Sequence, residues 1–113
     1  MAIVKEAIEK LKGAIVPFVC TSEVTVGDVV PFGSKMVGVA VSSGLTGESI
    51  SLEIEKVWTI KAKTEDVIAV GDSVYWDNTA KEITTTDTDN TPAGKAITAK
   101  GASAGTIDVK INI

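Results

Sequence analysis

Val24-Thr-Val-Gly-Asp-Val-Val30 returns later in the chain as Ile68-Ala-Val-Gly-Asp-Ser-Val74. Each copy sets a Gly-Asp pair among β-branched residues. Glycine supplies positive φ and Asp bonds to nearby backbone, so each pair reads as a tight turn leading into a strand. The echo continues downstream. Val37-Gly-Val-Ala-Val41 is similar to Ala93-Gly-Lys-Ala-Ile97, and Gly44, Gly47 and Ile50-Ser-Leu-Glu-Ile54 correspond to Gly101, Gly105 and Ile107-Asp-Val-Lys-Ile111. The second copy is longer between its Gly-Asp and its Gly-x-Ala, and the extra stretch holds Tyr75, Trp76 and a Thr/Asp run. The chain therefore reads as two diverged β repeats, at approximately 24–55 and 68–112. Neither could bury its apolar face alone, because two or three isolated strands are marginal in water. Together they predict an all-β fold, a small barrel or sandwich, as a single β domain over residues 14–113. Closure would also remove exposed sheet edges.

Candidate strands are Ala14–Cys20, Asp28–Pro31, Met36–Val41, Ser49–Ile54, Val57–Lys61, Ser73–Trp76, Glu82–Thr85, Lys95–Thr98 and Thr106–Ile111. Ile50, Leu52 and Ile54 alternate with Ser49, Ser51 and Glu53, and Ile107, Val109 and Ile111 alternate with Thr106, Asp108 and Lys110. Period-two alternation puts one face on a core and the other in water. Thr84–Thr91 is a polar run that reads as a loop or hairpin tip. Residues 1–13 differ. Val4, Ile8, Leu11 and Ile15 follow helical spacing among charged residues, and Gly13 is a natural stop. These residues predict an N-terminal arm of amphipathic helical character, too short to stand without a surface to lie on.

Composition narrows the function. The chain has 113 residues and a formal net charge of -4. With no basic stripe, nucleic acid is an unsuitable partner. No apolar run reaches the ~20 residues that span a bilayer, so no membrane role is expected. Lys5, Glu6, Glu9, Lys10 and Lys12 interrupt any signal-peptide core, which points to synthesis in the cytoplasm. There is no histidine and one cysteine, Cys20. Histidine-based catalytic arrangements, the usual zinc sites and an intrachain disulfide are thereby excluded. An enzyme would need paired carboxylates alone. No catalytic residue, metal ligand or cofactor is therefore expected.

Individual residues read mostly as structure. Gly27-Asp28 and Gly71-Asp72 suit turns better than a carboxylate pair. Asp87, Asp89 and Asn90 lack the spacing of a calcium loop. Cys20, among Phe18, Val19 and Thr21, suits a small buried hydrophobe. Gly44-Leu-Thr-Gly47 lacks the Lys-Ser/Thr of a phosphate loop. Trp58, Tyr75 and Trp76 suit core or interface anchors; stacked on a sugar they would instead make a carbohydrate-binding module, which requires a tryptophan open in a groove.

Gly27-Asp-Val-Val30 running into Val37-Gly-Val-Ala40, then Gly47-Glu48, Val57-Trp58, Val70-Gly-Asp-Ser-Val-Tyr-Trp-Asp77, Ile83-Thr-Thr-Thr86 and Val109-Lys-Ile-Asn112, resembles the DUF2190 family of phage cement and decoration proteins. The resemblance covers roughly residues 24–112. It implies a compact β subunit, often trimeric, bound to the major capsid protein on the capsid exterior of the virion. It carries over no catalytic residues. The departure is Met1–Lys12, where family members begin with an extended segment. Ile3, Val4, Ile8, Leu11, Trp58 and Trp76 are the candidate capsid or subunit interface, with the loop Thr84–Pro92 also facing a partner.

Overall fold

The structure is a computed structural model that describes residues 13–113. Val4, Ile8 and Leu11 of the helical spacing, and Ile3, lie outside the described residues, whereas Ile15, the fourth residue of that spacing, opens a strand. Among the described residues the alternating and β-branched segments form nine strands: β1 Ile15–Val19, β2 Val29–Pro31, β3 Val37–Ala40, β4 Ser49–Glu53, β5 Val57–Lys61, β6 Ser73–Asp77, β7 Glu82–Thr84, β8 Thr91–Ala96 and β9 Thr106–Ile111. They pair antiparallel into two sheets, ordered β1-β4-β3-β2 and β5-β9-β8-β6-β7. The sheets do not close into a barrel, so of the two expected architectures the molecule matches the sandwich.

The sheets repeat one another in register. Ile15 faces Glu53 as Val57 faces Lys110, Val30 faces Gly38 as Val74 faces Gly94, and Val39 faces Glu53 as Lys95 faces Lys110. Strands β1, β4, β3 and β2 thus map in order onto β5, β9, β8 and β6, and β7 is the addition. The repetition begins upstream of the Gly-Asp motif, at β1 and β5.

The twin turns have the same bonds. Gly27 N–H donates to Ala40 O and Gly71 N–H to Ala96 O, both at 2.8 Å. Asp28 Oδ2 accepts from Thr25 N–H and Asp72 Oδ2 from Ala69 N–H, both at 2.9 Å. Both glycines have the positive φ that the motif requires, +94° and +91°. A third such turn escapes the sequence reading: Gly47 has φ +89°, and Glu48 Oε1 accepts from Leu45 N–H at 2.6 Å. Asp28→Ala and Asp72→Ala should each lose about 1 kcal/mol, the usual net worth of one such bond. Urea unfolding of the two variants checks this, and unequal losses would argue against equivalent turns.

Two glycine matches between the repeats need correction. Cys20 N–H donates to Glu48 O as Ala62 N–H donates to Gly105 O, so Gly105 matches Glu48 and not Gly47. Val24 bridges to Gly44, whereas Ile68 bridges to Lys100, so Gly44 matches Lys100 and not Gly101. A Cβ at Gly44 would lie 2.5 Å from Ile50 Cγ2, so the first unit admits no side chain there. Lys100 instead runs inward and its ammonium donates to the carbonyls of Thr64, Asp66 and Gly101. Shared glycine identity misleads because backbone position, not residue type, defines equivalence.

Each unit wraps a core. The first comprises Cys20, Val24, Val30, Ala40, Ile50 and Leu52. The second places Ala62, Ile68, Val74, Ala96, Ile107 and Val109 at the matching positions and adds Trp76, Ile83, Val37 and Val39. Cys20 is a buried core residue. All of β3 is buried. Its alternate residues enter the two cores, Val37 and Val39 the second and Ala40 the first, and Gly38 lies against Leu52. A strand covered on both faces reads as a continuous apolar run, as Met36–Val41 does.

The expected strand Lys95–Thr98 is displaced. β8 spans Thr91–Ala96, because a register shift at Val74/Tyr75 lets Pro92 and Thr91 face Tyr75 and Trp76. The polar run Thr84–Thr91 begins in β7 and ends in β8, two strands that both pair with β6.

Candidate interaction surface

Period-two alternation aims the aromatic residues. In β5, Trp58 and Ile60 point inward between exposed Val57, Thr59 and Lys61. In β6, Val74 and Trp76 point inward and Tyr75 lies on the opposite face. Trp76 is 4% exposed, and its indole N–H donates to Asn78 Oδ1 at 3.0 Å. Trp58 is half-buried, and its indole N–H donates to Glu55 O at 2.9 Å. Both line a groove of about 600 Å³, together with Phe18, Val30 and Ile60. Glu23 and Asp28 of the first unit and Lys61 and Lys81 of the second bring both signs of charge to it. Tyr75 is not part of this groove, so the three aromatic residues do not form one stacking platform.

The groove exists because the units differ. In the second unit Ile83 is fully buried, and β7 meets the chain just after β5 through the Ala62–Ile83 bridge and the 2.8 Å bond from Lys63 N–H to Ile83 O. Among the described residues the first unit has no strand in that place. Its Val16, Phe18 and Phe32 remain half-buried, with the two phenylalanines edge to face at 6.3 Å. Beside them β2 ends its sheet, and Pro31 has no N–H to offer an added strand.

The loop Thr84–Pro92 forms a second, shallower depression of about 330 Å³, lined by Lys63, Asp77, Thr86, Asp89 and Asn90 among others. Asn90 is turned into the loop itself, its side-chain amide donating to Thr86 O at 2.9 Å. Asp66 holds the start of the loop. Its burial would raise the carboxyl pKa, but the Thr84 hydroxyl, the Thr85 N–H and nearby Lys63 outweigh this and keep it below its usual value. Among the described residues no three Asp, Glu or Cys side chains gather to hold a metal ion.

Further apolar residues stand in the open. Val26 and Val70, at the tips of the twin turns, are 57% and 65% exposed, and Val41 and Ile97 repeat each other in the same way. Sequence reading passed over them, although the valine shared by the two Val-Gly-Asp motifs was the available signal.

Of the residues singled out from sequence, Trp58 and Trp76 share the groove. The loop forms its own depression, and Ile3, Val4, Ile8 and Leu11 lie outside the described residues. A family model described as "Phage cement protein" matches residues 11–111. No curated protein and no solved structure matches the chain.

Proposed function

The chain belongs to the phage cement protein family, and from that premise we propose that it binds the outer surface of a tailed-phage capsid and stabilises the shell without catalysis. Membership gives a structural role on the phage capsid. The subunit is made in the host cytoplasm, associates as a homotrimer and contacts the major capsid protein. Residues 14–113 act as one β domain and Met1–Gly13 as an arm. Ile3, Val4, Ile8, Leu11, Trp58 and Trp76 supply the capsid or subunit interface, and the loop Thr84–Pro92 faces the shell.

The mechanism needs no reaction. A ligand that binds the assembled lattice and not the free subunits stabilises the lattice by mass action. A trimer fits local threefold positions, and its three attachments act together through effective concentration. The observation that carries this reading is the family match across residues 11–111, which takes in both β units. Deleting Met1–Lys12 should abolish co-sedimentation with capsids while circular dichroism still shows a β fold. Unchanged binding would remove the arm from the interface.

A further inference from the structure

We propose that the arm of one copy of this chain docks its apolar residues in the inter-sheet groove of a neighbouring copy. The inference rests on the homotrimeric reading above and names how the subunits hold one another.

Among the described residues, the internal repeat shows what the first unit lacks. In the second unit, Trp76 and Ile83 complete the core and β7 covers its open side. At the matching side of the first unit, Phe18 and Phe32 are only half-buried, and the groove of about 600 Å³ opens beside Phe18. An occupant that fills this space with aliphatic side chains completes the first core as β7 completes the second. Pro31 has no N–H, so the occupant gains more from side-chain burial than from extending the β2 ladder.

The residues outside the described structure have the matching chemistry. Ile3, Val4, Ile8 and Leu11 are aliphatic, and Lys5, Glu6, Glu9, Lys10 and Lys12 lie between and beside them. The groove is lined by Glu23 and Asp28 of the first unit and Lys61 and Lys81 of the second, so it offers counter-charges to both signs carried by the arm. Twelve residues span up to ~40 Å when extended, enough to reach into an adjacent molecule. The arm joins the body at Gly13, beside β1, and among the described residues β1 and β2 are the opposite edges of one sheet. Donor and acceptor on opposite edges make a head-to-tail contact, the kind that closes into a ring.

The test uses the full chain carrying Ile8→Cys together with Asn78→Cys, an exposed groove residue, under mild oxidation. Non-reducing electrophoresis should move most of the chain to two- and three-chain mobilities, and neither single variant should do so. Glu6→Cys with Lys81→Cys provides a second pair. Absence of a cross-link in both pairs overturns the inference, and so does a disulfide confined to one chain. Capsid co-sedimentation of the same proteins separates the two readings. Cross-linked oligomers that ignore capsids sink the capsid reading and leave the docking intact. Capsid binding without any cross-link sinks the docking alone.

Discussion

Gly94→Ala should cost about 4 kcal/mol or more, placing it among the exceptional single substitutions. Gly94 lies within β8 at φ +148°, a conformation almost confined to glycine. A Cβ built there would sit 2.1 Å from Lys110 O and 2.9 Å from Ile111 Cα. Both are backbone atoms of β9, so no rotamer change relieves the clash. β8 must separate from β9, and with it the Gly94–Ile111, Lys95–Lys110 and Ala96–Val109 pairs. For a domain of this size the thermal midpoint should fall by about 15 °C or more, if the variant folds at all.

Gly38→Ala is the internal control, because Gly38 faces Val30 as Gly94 faces Val74. Gly38 does not have positive φ, and its closest approach is to the Leu52 side chain at 2.9 Å. Overpacking of that kind costs about 1–3 kcal/mol. Gly101→Ala, with nothing within 4 Å, should be close to neutral. Calorimetry of the three variants decides. Equal losses at Gly38 and Gly94 would mean that β9 does not constrain Gly94 as described.

The all-β class was legible because Ser49–Glu53 and Thr106–Ile111 alternate cleanly and the two Gly-Asp turns carry their chemistry in adjacent residues. Local signals of that kind survive without knowledge of the partner strand. The start of the repeats was not legible, because Ile15-Val-Pro-Phe-Val19 and Val57-Trp-Thr-Ile-Lys61 share almost no residues and are equivalent only through their pairing with β4 and β9. The third turn was hidden by the exchange of Asp for Glu at Glu48. Thr91 and Pro92 looked like loop because composition alone cannot show a register shift that admits them to a ladder. For the candidate surface, sequence supplied Trp58 and Trp76 as anchors. The groove they line arises from a difference between the units, the presence of β7 in only one of them among the described residues. That difference was visible as extra length, but what the extra residues cover was not.

Asn112→Ala is the second substitution with a large expected effect, at about 3 kcal/mol for three lost hydrogen bonds and a strained backbone. Asn112 sits just after β9 with φ +60°. Its Oδ1 accepts from Val37 N–H at 2.9 Å, and its Nδ2 donates to Val37 O at 2.7 Å and to Ile54 O at 2.8 Å. Its own N–H donates to Ala93 O at 2.8 Å. One side chain therefore engages the backbone of Val37 as a paired strand would, and ties the end of the second unit to β3 and to the residue after β4. Removing it leaves one donor and two acceptors without that partner.

Companion variants separate the contributions. Asn112→Gly removes the side-chain bonds but tolerates the left-handed backbone, so it should lose less than Ala by about 1 kcal/mol. Asn112→Asp retains an acceptor for Val37 N–H and loses both donors. Its carboxylate would then face the carbonyls of Val37 and Ile54, so it should be at least as damaging as Gly. Because Val37 and Val39 remain in the second core, the units should still unfold in a single transition at a lower urea midpoint. Amide exchange at Val37 provides the local readout, since its protection depends directly on Asn112 Oδ1. A midpoint within experimental error of the wild type, or a Val37 amide still protected in Asn112→Ala, would remove Asn112 as the tie between the two units.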